Sequence, residues 1–98
     1  MDIVCNAKDD RLEISLNGRL DTITTPQFET AIRGNLSGVR ELSLDFKNLE
    51  YISSAGLRVL LTTQKTMSRQ GSMEVLNVND TIMDVFEMTG FIDILTIK

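Results

Sequence analysis

The chain has 98 residues, 42% of them apolar, 24% charged and 5% aromatic, with 14 acidic against 10 basic side chains and a formal charge of -4. This is the length and apolar content of one globular domain that buries a core without disulfide or metal support. The absence of histidine excludes Ser-His-Asp and Cys-His catalysis and any imidazole metal ligand. A single cysteine, Cys5, excludes an internal disulfide, and the acidic balance argues against direct binding of nucleic acid.

The first residues, MDIVCNAKDD, carry no basic segment followed by an apolar stretch, and no apolar run nears the length of a membrane span. A cytoplasmic location and no membrane insertion are therefore expected. Asp2–Ala7 and Arg11–Leu16 alternate apolar and polar residues and read as strands, joined by a turn at Lys8-Asp9-Asp10 and ended by Gly18. Cys5 alternates with Ile3 and Ala7, which predicts a small buried hydrophobe. Thr24-Thr25-Pro26-Gln27 then has the form of a helix start, with Thr24 as cap, Pro26 in the first turn and Gln27 completing a capping box. Phe28, Ala31, Ile32 and Leu36 follow at helical spacing, and Gly38 lies just past them.

Glu41–Phe46 alternates again and predicts a strand, with Lys47 to Ile52 as a short loop. After Ser53-Ser54, the residues Leu57, Leu60, Leu61 and Met67 mark one face of a helix closing near Gly71. Met73–Val78 reads as a strand. Asn79 or Asp80 caps a further helix with Ile82, Val85 and Phe86 inward and Gly90 as its stop, and Ile94–Ile97 forms a short last strand. Met67, Met73, Met83 and Met88 read as core filler. The order ββαβαβαβ defines an α/β domain over residues 1–98, with a mixed, mostly parallel sheet, an N-terminal antiparallel hairpin and three main helices.

Only the loop Tyr51-Ile52-Ser53-Ser54-Ala55-Gly56-Leu57 carries chemistry beyond the fold. Two hydroxyls stand where a helix begins. One suffices as a cap, worth about 1 kcal/mol. The other either backs up that role or is free to carry an anion at the positive end of the helix, where a phosphate gains about 0.3–2 kcal/mol of local interaction. Gly56 leaves room for the close approach of another backbone. No phosphate-binding Gly-x-x-x-x-Gly-Lys loop is present; the glycines at 34 and 38 lack the lysine. The carboxylates Asp45 and Glu50 have no histidine or metal cluster to work with.

This loop resembles the signature of the STAS family, Asp-Ser-Ser/Thr-Gly-Leu between a strand and a helix. Aligning Gly56-Leu57 with that motif places the family's phosphorylated serine at Ser54. Gly18-Arg19-Leu20-Asp21 is similar to the family's Gly-x-Leu-Asp. Leu42–Asp45 with Leu49 to Ile52 is similar to its approach strand, and Val85-Phe86-x-x-Thr89-Gly90 to its closing Val-Phe/Leu-x-x-Thr-Gly. Ser53 stands in place of the family's Asp and is an alternative acceptor; Ala55 replaces a hydroxyl residue. The resemblance implies an anti-sigma-factor antagonist rather than an enzyme, with no cofactor. Its implied partner is an anti-sigma factor with GHKL-type serine kinase activity, and a serine phosphatase reverses the modification. Under that reading Asp21, Thr22, Thr24, Ser53, Ser54, Ala55, Gly56 and Arg58 form the docking surface. The competing reading is a STAS module that binds without phosphorylation, as a small subunit of a lipid-transport ABC complex or a signalling scaffold.

Overall fold

The computed structural model describes residues 1–98. Strands β1 (Asp2–Lys8) and β2 (Arg11–Leu20) form the expected antiparallel hairpin, closed by a two-residue turn in which Asp9 takes a left-handed φ of 57°. Helix α1 (Thr25–Asn35) returns the chain to β3 (Glu41–Ile52), which lies parallel to β2. Helix α2 (Ser54–Gln70) then leads to β4 (Ser72–Leu76), parallel to β3, and α3 (Asp80–Thr89) follows. The sheet order is β1-β2-β3-β4. Because side chains alternate across a sheet, Leu12, Ile14, Leu16, Leu42, Leu44, Phe46, Met73 and Val75 fall on one face. There they join Phe28, Ile32, Leu57, Leu60, Met67, Ile82 and Phe86 of the helices in a single core. No helix is long and apolar enough to cross a membrane.

Several expectations needed correction. The segment from Lys47 to Ile52 is strand rather than loop, and β2 runs through Gly18 to Leu20. Between Ser15 and Asn17 of β2, and again between Gly18 and Arg19, β3 contributes an extra residue to the pairing. Such bulges break the two-residue alternation. Buried positions in β3 consequently fall at Phe46, Leu49 and Ile52, three apart, a spacing that does not read as a strand. Gly18 accommodates one bulge with a φ of 118°.

The last strand is reduced to a single parallel bridge between Val75 and Ile97, preceded by a 3-10 turn at Phe91–Asp93. Leu95 alone of that segment is fully buried, so little drives more of it into the sheet. Cys5 is exposed rather than buried, because β1 is an edge strand that the helices cover only in part. Met88 is 87% exposed, unlike Met67 and Met73, which are core.

The Thr24 capping box does not form. No side chain caps α1, and Gln27 donates instead to the Met1 carbonyl at 3.1 Å. The other helix signals are realised. Ser53 caps α2, the Asn79 side chain accepts from Ile82 N–H at 2.8 Å to cap α3, and Gly90 ends α3 in the left-handed region.

Candidate functional site

In a parallel sheet the strands end on a common edge, and the loops that follow them meet there. Leu20 and Ile52, the last residues of β2 and β3, are directly paired. The chain leaving β3 is tied to the chain leaving β2 by Ser53 N–H donating to the Leu20 carbonyl at 2.8 Å. The loop Asp21–Thr24 and the serine pair are thereby set side by side.

The two serines divide the work. Ser53 is half-buried with extended backbone (φ -92°, ψ 173°), and its Oγ accepts from Gly56 N–H at 3.4 Å. Its carbonyl accepts from Leu57 N–H at 3.0 Å. Ser54, the first residue of α2, is exposed and takes no part in capping. No acidic residue occupies the first turn of α2, so nothing there opposes an anion at the positive end of the helix. Arg58, one turn on, is exposed. Ala55 is half-buried.

Gly56 is buried, which alters the role expected of it. A Cβ at this position would lie 2.9 Å from Leu20 Cγ, Leu20 Cδ2 and Ile52 Cγ1. The glycine therefore admits two core side chains, not the backbone of a visiting molecule, and it is not itself a contact surface.

The neighbouring loop is built around Asp21. Its Oδ1 accepts from Ile23 N–H at 2.9 Å and Thr24 N–H at 3.0 Å, while Asp21 N–H donates to Thr24 Oγ1 at 2.9 Å. The Thr24 hydroxyl donates to the Arg19 carbonyl at 2.6 Å. The Thr24 N–H bond is the largest influence holding the Asp21 carboxyl below its ordinary range, helped by Ile23 N–H, the Thr24 hydroxyl and the Arg19 charge against some desolvation. Asp21 and Thr24 are thus half-buried clamps that set the shape of the loop, and Thr22 is exposed upon it.

Two features escaped the sequence reading. Ile23, at the tip of this clamped loop, is 87% exposed. Its signal was a lone isoleucine in a polar turn, Asp-Thr-Ile-Thr-Thr. Tyr51 is also exposed, and the Arg19 guanidinium lies 5.0 Å from its ring centroid. The pair is made by the bulged β2–β3 register, which sets Arg19 opposite Tyr51; the primary structure holds no trace of it. Ile23, Tyr51, Ser54 and Arg58 therefore add apolar, aromatic, hydroxyl and cationic groups to the end of the domain where β2 and β3 finish.

The fold and the site define a small α/β module with an exposed serine at the start of a helix. The chain is a member of the STAS domain family, whose model matches residues 2–98. It is 27% identical over 100 residues to the anti-sigma-B factor antagonist of Staphylococcus aureus, covering 100% of this chain and 93% of that protein. Among solved structures, it resembles an anti-sigma factor antagonist from Mycobacterium paratuberculosis with a TM-score of 0.88 at 21% identity, covering 98% of this chain and 83% of the other. It also resembles the phosphorylated form of the Bacillus cell fate determinant SpoIIAA, with a TM-score of 0.76 at 20% identity, covering 99% and 91%.

Proposed function

We propose that residues 1–98 form one domain acting in the cytoplasm as an anti-sigma factor antagonist, switched by phosphorylation of Ser54. The unmodified protein binds an anti-sigma factor with GHKL-type serine kinase activity and so releases a sigma factor. Phosphate on Ser54 ends that binding, and a serine phosphatase restores it. The chain is the substrate and the switch, not an enzyme, and needs no cofactor.

The observation that carries this reading is the division between the two serines. Ser53 is committed to the start of α2, and Ser54 is exposed beside it with no structural duty. A phosphate at Ser54 leaves the helix cap intact and meets the positive end of the helix, so the fold tolerates it. At a docked interface the same dianion must shed water and face whatever the uncharged hydroxyl had packed against, at a cost of several kcal/mol. Every 1.4 kcal/mol is a tenfold change in affinity. Thr22, Ile23, Tyr51 and Arg58 are the surface groups proposed to touch the partner, with Asp21, Thr24, Ser53, Ala55 and Gly56 holding them in place.

Incubation with the partner kinase and ATP is expected to add one phosphate, mapped to Ser54 by mass spectrometry and abolished by Ser54→Ala. Ser54→Asp is expected to weaken binding at least tenfold while leaving the Tm within about 3 °C. Phosphate that persists in Ser54→Ala and vanishes in Ser53→Ala would move the acceptor to Ser53. A protein that binds its partner yet takes up no phosphate would instead be a STAS module of the unphosphorylated kind.

A further inference from the structure

The second surface of interest is the free edge of β1. β1 pairs with β2 through an unbroken register from Asp2↔Asn17 to Lys8↔Arg11, and no strand lies on its other side. Edge strands invite pairing with another chain, and proteins ordinarily blunt them with proline, bulges or charges in mid-strand. β1 has no proline and no bulge, and between its ends it reads Ile3-Val4-Cys5-Asn6-Ala7 without a charge. Val4 is 54% exposed, and Cys5 and Ala7 are exposed as well.

Antiparallel pairing uses the N–H and C=O of every second residue. A two-residue turn closes on a hydrogen-bonded pair, here Lys8 and Arg11, so Ile3, Cys5 and Ala7 direct their backbone groups away from the sheet. Their side chains share the face of Leu16, Ile14 and Leu12, their partners in register.

The sequence of this edge is its own complement when reversed. With Cys5 on a two-fold axis, antiparallel pairing with an identical strand sets Asp2 against Lys8 and Lys8 against Asp2. Ile3 then meets Ala7, Val4 meets Asn6, and Cys5 meets its own copy. All the outward backbone groups of Ile3, Cys5 and Ala7 face one another in that register. Displacing it by one pair in either direction leaves outward groups unmatched and puts Asp2 or Lys8 opposite an uncharged residue.

We infer that a second copy of this chain pairs with β1 edge to edge, antiparallel and centred on Cys5, joining two four-stranded sheets into one. The occupant is a copy of this chain because the match of opposite charges depends on the strand meeting itself. A seven-residue strand presents an edge about 23 Å long and one strand wide, a smaller contact than the about 800 Å² per partner of a standard stable interface, so the dimer is concentration-dependent. Its contacts lie on β1, and they do not involve the serine loop.

Sedimentation equilibrium over a concentration series tests this. The wild-type chain is expected to dimerise with a Kd of about 0.1–1 mM. Asp2→Lys and Lys8→Asp, which each put like charges opposite one another, are expected to raise that Kd at least tenfold. The double variant D2K/K8D restores the opposite pairing and is expected to recover the wild-type value. Cys5 reports the register: paired Cα atoms of the hydrogen-bonded kind lie about 5.5 Å apart, within disulfide reach. Diamide removes two electrons and two protons from the two thiols, becoming the hydrazine as the disulfide forms. The cross-linked dimer is expected to form at least tenfold faster in the wild type and D2K/K8D than in either single variant. A chain that stays monomeric to about 1 mM, single variants that associate like the wild type, or a double variant that fails to recover would each overturn the inference.

Discussion

Gly56→Ala tests how the serine loop is held. The added methyl would sit 2.9 Å from three side-chain carbons of Leu20 and Ile52, where ordinary contact is 3.4–4 Å. Both neighbours are sealed in the core, at 0% and 1% exposure, so neither can swing into solvent. Overpacking of this kind costs about 1–3 kcal/mol, and replacing a helical glycine by alanine returns about 1 kcal/mol. The net expectation is a loss of about 1 kcal/mol, or a Tm lower by about 4–8 °C for a domain of this size. Gly34→Ala is the matched control. Gly34 also lies within a helix, but a Cβ there meets nothing within 4 Å. Only the helix preference remains, and the Tm is expected to rise by about 2–6 °C. Differential scanning calorimetry of the two variants beside the wild type reads both. A Gly56→Ala protein at least as stable as the wild type would refute the claim that this glycine locks α2 against the ends of β2 and β3.

Four further outcomes follow from the same geometry. Asn79→Ala removes both the cap of α3 and a 2.9 Å bond to the Leu49 carbonyl, and is expected to cost about 1–2 kcal/mol in urea denaturation. Ser53→Ala, which loses one long 3.4 Å cap bond, is expected to cost no more than about 1 kcal/mol; the reverse ranking would contradict the cap geometry. Gly71→Ala would place a Cβ 1.9 Å from the Arg40 carbonyl oxygen, which is backbone, and is expected to lower stability by more than about 3 kcal/mol, read as lost cooperative unfolding or a greatly reduced denaturation midpoint. For Asp21, whose folded carboxyl is held low, the stabilisation is present above the unfolded value of about 3.9 and is lost as pH falls through the lower folded value. The stability gap between wild type and Asp21→Asn is therefore expected to be constant near neutrality and to shrink below about pH 4. A gap that persists unchanged in acid would show that the charge of Asp21 contributes nothing.

Local chemistry alone determined much of this protein. The hairpin turn, the starts of α2 and α3 at Ser53 and Asn79, the stop at Gly90 and the alternation of strands with helices rest on neighbours a few residues apart, and such signals are written contiguously in the chain. The serine loop was legible for the same reason. Tertiary structure decided what depends on the partner strand or on coverage. The extension of β3 to Ile52 required bulges that change the spacing of buried residues from two to three, a pattern set by pairing with β2. The pairing of Arg19 with Tyr51 follows from that bulged register. Cys5 has the alternation of a buried residue but lies exposed on an edge strand that the helices cover only in part, and Gly56 has the appearance of an open loop residue but is filled from within by Leu20 and Ile52. Periodicity states which side of an element is apolar. Whether anything lies on that side is settled only when distant segments pack against one another.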